Sequence, residues 1–398
     1  VIGGGVTGVG VALDAASRGL DVALIEAHDY AFGTSRWSSK MVHGGLRYLA
    51  TGKVGVAWES AVERACISHH IAPHLVHPFA QLVPIFDSTT RKDLAITRAG
   101  LTAGDVLRRA SRLPSSRLPG PSRINAARVR ELVPAVETTG LKGAFVSWDF
   151  KLEDDARLVV SIARTAAAYG AKMITRARAT SISADGAVVT DELDGGQFEV
   201  RARNVINATG VWAGTLDPHV ELTPSRGTHL VLPAAALGRP RASLTVPVPG
   251  HFGRFVFTIP QFDDLVYVGL TDVPAPGPIP EVPTPDAEEI DWILDVFNRS
   301  LSKAITRDDV IGTFAGLRPL AADPGSSDST ADISRHHLIT GGPGEVITVT
   351  GGKLTTYRRM AQDAVDKISD VECQTHRIAL VGAGTPPAHP AIPHRLVR

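Results

Sequence analysis

Cysteine is nearly absent: 398 residues hold two, Cys66 and Cys373, far apart and in no C-x-x-C spacing. That scarcity excludes a disulfide framework and a cysteine zinc site, and it fits a reducing compartment. Net charge is missing too. The 41 Lys and Arg balance the 41 Asp and Glu, so no global field draws the chain to nucleic acid, and any attraction for an anion must be local. No run of about eighteen uncharged apolar residues occurs, which removes a spanning helix but leaves surface attachment open. The histidines (His69, His70, His74, His77, His336, His337) are patterned with no carboxylate, and no metal is expected. An initiator methionine is lacking, and only Val1 and Ile2 precede the first glycine. A first strand of that kind needs about five residues, so a chain with clipped ends is expected.

What is present starts at once. Gly3-x-Gly5-x-x-Gly8 leads into a helical pattern over 9–18 closed by Gly19, and then into DVALIE, an apolar strand ending in Glu26. Such glycines let a backbone turn approach a pyrophosphate at a helix N-terminus, and the acid accepts from ribose hydroxyls. Glu26 disfavours a 2′-phosphate, but the turn alone does not separate NAD from FAD.

Further along, residues 33–49 (GTSRWSSKMVHGGLRYL) form a hydroxyl-rich loop before a glycine pair. The pattern loosens over 86–123, with SRLPSSRLPGPS a loop. A helix is expected over 157–170. The strand VINATG ends in small residues, against which something flat can lie. After the proline-rich VPAPGPIPEVPTP, Thr284 is expected as N-cap and Pro285 as first residue of a helix with Ile290, Ile293, Leu294 and Phe297 on one face. EVITVTGG reads as a strand entering a glycine turn before a helix over 354–366.

Together GGGVTGVGVALDAASRGL, SSKMVHGGLRYL, DDARL, NATGVWA, RGTHLVLP, GLTDV, AGLRPL and GGKLTTYRR resemble the FAD-dependent glycerol-3-phosphate dehydrogenases, of the amino-acid-oxidase-like flavoproteins. The resemblance implies an α/β fold: a doubly wound, Rossmann-like FAD-binding domain built from discontinuous segments (1–80, 151–215, 311–370), with an inserted α+β substrate domain (81–150, 216–310). Residues 371–398 then read as a linker to a C-terminal helical domain that the family carries. It implies FAD on Gly3, Gly5, Gly8, Glu26, Thr34, Ser35, Ser38, Ser39, His43, Ala179, Gly210, Gly352, Leu354 and Thr355, bound without a covalent link. For the substrate, glycerol 3-phosphate, it implies Arg47, Tyr48, His229, Arg318 and Arg335, with Lys353 beside the flavin. It further implies a quinone acceptor, peripheral contact with the cytoplasmic face of the cell membrane, and room for a homodimer.

The chemistry asks for these residue types independently. A phosphate dianion on a neutral protein needs a local cationic pocket, and arginine forks match its oxygens two at a time. Arg318 and Arg47 sit among glycines and apolar residues, unlike a solvated surface arginine. Alcohol oxidation needs a base within hydrogen-bond reach, for which His229 and His43 are the candidates; His229, Arg318 and Lys353 are the expected catalytic set. Three other readings stay open: an oxidase releasing hydrogen peroxide, an amine or amino-acid oxidase, and a non-catalytic FAD-binding remnant.

Overall fold

Ile2 sits between two strands that arrive from distant parts of the chain. It bridges in parallel to Ile25 on one side and Asn207 on the other, with Gly3 N donating to Ile25 O at 2.8 Å and Ala208 N to Ile2 O at 2.8 Å. Ala23–Ile25 pairs in parallel with Lys172–Ile174, and Ile206–Asn207 with Ile347–Gly351, whose outer neighbour His337–Thr340 is antiparallel. Ile2, Leu24, Ile25, Ile206, Ile347 and Val349 are buried, as strands covered on both faces must be. The first glycine turn therefore leaves the middle of a doubly wound parallel sheet. This computed structural model describes residues 1–50, 52–251, 253–321 and 336–384, with Arg47, Ala50 and Ala321 described by backbone alone.

The helices among the described residues are α1 (Val6–Ser17), α2 (Leu46–Ala50), α3 (Val54–Cys66), α4 (Arg91–Ala110), α5 (Ala126–Leu132), α6 (Asp155–Ala168), α7 (Ala213–Leu216), α8 (Ala287–Asn298) and α9 (Tyr357–Val365). Helix α1 starts at Val6, three residues before the sequence pattern suggests, because Gly5 already takes the extended N-cap conformation. Its small residues let α9 close in: a Cβ on Gly10 would lie 2.9 Å from the Tyr357 ring.

Two expectations are corrected. The loosened stretch contains the 20-residue α4, started by a capping box in which Thr90 Oγ1 accepts from Asp93 N and Asp93 Oδ2 from Thr90 N. Only Leu101 and Arg108 of that helix are buried, so its apolar period is too faint to read. Helix α8 is capped by Asp286, not Thr284, and begins at Ala287 rather than Pro285. The Asp286 N–H donates to Glu289 Oε2 at 3.1 Å. Its expected apolar face holds, with Ile293, Leu294 and Phe297 buried against Leu230, Leu232, Val266 and Val268.

That second core lies under a curled ten-stranded mixed sheet, in which Leu222–Pro233 runs antiparallel to Gly312–Ala321. The register sets His229 opposite Phe314 and Ser225 opposite Arg318. Ala177–Ser183, Gly186–Asp191 and Gln197–Arg201 form a separate antiparallel meander.

Candidate active site

Gly3 turns at φ +104°, and a Cβ there would lie 2.6 Å from Ala208 O; a Cβ on Gly8 would lie 1.9 Å from Gly3 O. No side chain fits either place. The turn leads into the N-terminus of α1, whose first turn carries no acid to compete with a phosphate. Glu26 holds the turn from the next strand: Oε2 accepts from Gly4 N at 2.6 Å and Oε1 from His28 N at 2.8 Å. Each oxygen keeps a lone pair for a ribose hydroxyl.

From this turn runs a cavity of about 2210 Å³, well above the few hundred to about 1,000 Å³ of a site for one small ligand. Gly3, Gly5, Glu26, Thr34, Ser35, Ser38, Ser39, His43, Ala179, Gly210, Gly352, Leu354 and Thr355 line it, together with Tyr48, His229, Arg318 and Lys353. Gly8 instead packs beneath the turn, against Gly3. Arg335 lies outside the described residues, and so does the side chain of Arg47.

The loop after Gly33 is held by its hydroxyls. Thr34 Oγ1 donates to Leu317 O at 2.6 Å, and Ser35 Oγ accepts from Val6 N at 2.9 Å, at the start of α1. Ser38 Oγ donates to Asp155 Oδ2 at 2.7 Å, and Ser39 Oγ lies 3.0 Å from His229 Nε2. His43 Nδ1 accepts from Gly45 N at 3.3 Å. Met41–Val42 is the short strand between this loop and α2.

The second glycine turn delivers Lys353. Gly352 holds φ +72°, and a Cβ on it would meet Met360 Sδ at 2.4 Å. Lys353 Nζ donates to Ser60 Oγ on α3 and stands 4.2 Å from the Tyr48 ring centroid, so it faces across the cavity rather than into solvent. Leu354–Thr356 is a turn of 3₁₀-helix leading into α9, and the N–H groups of Leu354 and Thr355 stand at its start.

Arg318 is held in the wall, with NH2 donating to Thr271 O at 3.2 Å and NH1 to Ser225 Oγ at 3.3 Å. Gly227 makes room for it: a Cβ there would lie 2.2 Å from the guanidinium. His229 is buried, with its ring stacked on Phe314 at 4.7 Å and 11°. Burial first, then the charges of Arg318 and Lys40, push its pKa down to about 3. The imidazole is neutral at pH 7, and a base that weak takes an alcohol proton only when a nearby anion raises its affinity.

The sequence reading missed Gly227 and Phe314, whose roles exist only through the strand register. It also missed Arg254 in the cavity wall. The signal used for Arg318, an arginine among glycine and apolar residues, was there to find it in HFGRFVF.

A family model described as FAD dependent oxidoreductase matches residues 1–358. The chain is 50% identical to glycerol-3-phosphate dehydrogenase 1 of Mycobacterium tuberculosis, over 98% of this chain and 77% of that protein. Its fold matches the glycerol-3-phosphate dehydrogenase of Bacillus halodurans complexed with FAD, with a TM-score of 0.73 and 29% identity over 96% of this chain and 67% of that one. It also matches the FAD-bound L-alpha-glycerophosphate oxidase of Mycoplasma pneumoniae, with a TM-score of 0.68 and 17% identity over 95% and 97%, a likeness of fold alone.

Proposed function

The chain belongs to the FAD-dependent oxidoreductases, in their glycerol-3-phosphate dehydrogenase branch, and from that premise we propose that it oxidises sn-glycerol 3-phosphate to dihydroxyacetone phosphate and passes the electrons to a quinone. The observation that carries the substrate reading is the gathering of Arg318, Lys353 and Tyr48 on the cavity that the two glycine turns enter, in a chain with no net charge.

The residues fit the cofactor. Gly3, Gly5 and the start of α1 would hold the pyrophosphate, Glu26 the ribose, and the turn at Gly352, Leu354 and Thr355 the flavin edge. Bound FAD supplies the acceptor for the hydride from the substrate carbon. Arg318 meets the phosphate with a fork already oriented by Ser225 and Thr271. Lys353, steadied by Ser60 and the Tyr48 ring, meets a substrate oxygen. His229 takes the hydroxyl proton. Arg318 is one of the charges holding its proton affinity down, so pairing Arg318 with a phosphate dianion raises that affinity when substrate arrives.

The test is anaerobic titration of the FAD-loaded protein, read by bleaching of the visible flavin band. Glycerol 3-phosphate should bleach it. Glycerol, lacking the phosphate, should do so with kcat/KM at least about 30-fold lower. Equal reduction by both would end the phosphate-pocket reading.

For the acceptor, no helix among the described residues is long and apolar enough to cross a membrane. Val54 and Trp58 are exposed on α3 and Ile96 on α4, a helix that also exposes the basic Arg91, Lys92 and Arg98, and Leu46 and Ile96 line the cavity. Exposed apolar and basic residues on these two helices support surface contact with an anionic bilayer and a lipid-soluble acceptor. Turnover with a soluble quinone under nitrogen, against peroxide release in air, separates this from the oxidase reading.

A further inference from the structure

Two charged side chains meet behind the cavity wall, and the reaction above gives them no task. Asp155 is fully buried in the first turn of α6, within DDARL, and Lys40 reaches it from the hydroxyl-rich loop. Taking both charges out of water costs several kcal/mol per ion and is offset only if further hydrogen bonds satisfy them. Here they are satisfied. The carboxylate accepts from Ser38 N at 3.0 Å, Ser38 Oγ at 2.7 Å, Ala156 N at 2.9 Å and Lys40 Nζ. Lys40 Nζ also donates to Arg36 O at 2.7 Å, and Lys40 N to Ser38 Oγ at 3.0 Å.

Lys40 holds φ +52°, a left-handed conformation that a lysine keeps only where its surroundings over-determine it. Both chain neighbours of Ser39 are thus tied to one carboxylate. The Ser39 hydroxyl between them lies 3.0 Å from His229 Nε2. Lys40 Nζ also lies 5.9 Å from the centre of the Phe314 ring, on which the His229 ring stacks.

We propose that Asp155 is a positioning residue: by pinning Ser38 and Lys40 it holds the Ser39 hydroxyl against His229 and so orients the imidazole in the cavity wall. The inference rests on the proposed oxidation for its rate measurement, and a second readout frees it from that dependence.

The experiment compares FAD-loaded wild type, Asp155→Asn, Ser39→Ala and the double variant in anaerobic stopped-flow reduction by glycerol 3-phosphate. Asp155→Asn should slow the maximal rate of flavin reduction on the order of 10–100-fold, with less than about a 3-fold change in half-saturation. The double variant should be no slower than the slower single, because both substitutions break one chain of contacts. Losses that multiply, or a rate that falls only in proportion to lost FAD, would overturn the proposal. Ser38→Ala removes hydrogen bonds and no charge; if Asp155→Asn does not fold, its non-additivity with Ser39→Ala decides the matter in the same way. Failure of glycerol 3-phosphate to bleach the wild type sinks the substrate reading instead. The coupling is then read from the visible circular dichroism of bound flavin. Asp155→Asn and Ser39→Ala should change it alike, and unlike changes would refute the positioning role.

Discussion

At His229 the decisive quantity is proton affinity. Its pKa falls from 6.5 to about 3 on folding, so between those values the unfolded chain binds a proton that the native state refuses. Stability from this group is fully present above pH 6.5 and is lost as pH falls toward 3, by about 1.4 kcal/mol per pH unit. His229→Gln should flatten that limb, and urea midpoints between pH 4.5 and 7.5, in excess FAD, would detect it; parallel curves would mean the histidine is not buried in this way. In the proposed site Lys353 makes the opposite electrostatic contribution, a positive charge where reduction would build negative charge. Lys353→Met should lower the flavin midpoint potential and slow flavin reduction while FAD stays bound. Wild-type values for both would remove Lys353 from the chemistry. The place of Lys353 and Arg318 in the cavity wall was legible in the sequence because GGKLTTYRR and AGLRPL resemble motifs of a known family. The clamp of Asp155 on Lys40 was not, since an ion pair between a loop and a helix start 115 residues on leaves no mark in either segment.

Elements were legible where turn residues or a run of apolar residues marked them. Helix α1 has a glycine turn before it, Gly19 after it and apolar residues on nearly every face. Helix α4 has mostly exposed side chains and offered no such pattern. The start of α8 moved because Asp286 and Glu289 close a reciprocal cap, which serves better than Thr284 before a proline. One contact between elements bears on the second glycine turn through α9. Arg358, in the first turns of α9, donates from Nε to Glu63 Oε2 at 2.8 Å and from NH2 to Glu63 Oε1 on α3, with both side chains under a tenth exposed. Glu63→Gln would leave a buried guanidinium uncompensated and should cost about 3–5 kcal/mol, whereas also replacing Arg358 by Met should recover much of that. Chemical unfolding of the two variants in excess FAD checks it, and equal losses would show that the pair is not the reason. The same loosening at α9 should weaken FAD binding, because that helix carries the second glycine turn.

Over the whole molecule, neutrality conceals a cavity with cationic groups in its wall, which composition cannot report. The sheet order has a consequence of another kind, for how the protein is made. Ile2 is hydrogen-bonded between strands ending at Ile25 and beginning at Ile206, and the latter pairs in turn with the strand starting at Ile347. A ribosome delivers the first glycine turn about 350 residues before the Lys353 turn. At about 5–20 residues per second the interval is on the order of tens of seconds. Through that time the strand at Ile206 waits for its neighbour at Ile347 and the small-residue face of α1 waits for α9, so the half-site for a dinucleotide has no floor. Flavin capture between the two glycine turns therefore waits until the second of them has been made. A cell short of FAD would accumulate chains that are fully translated yet still holding open the groove between α1 and the second glycine turn, the state in which chaperones and proteases would find them.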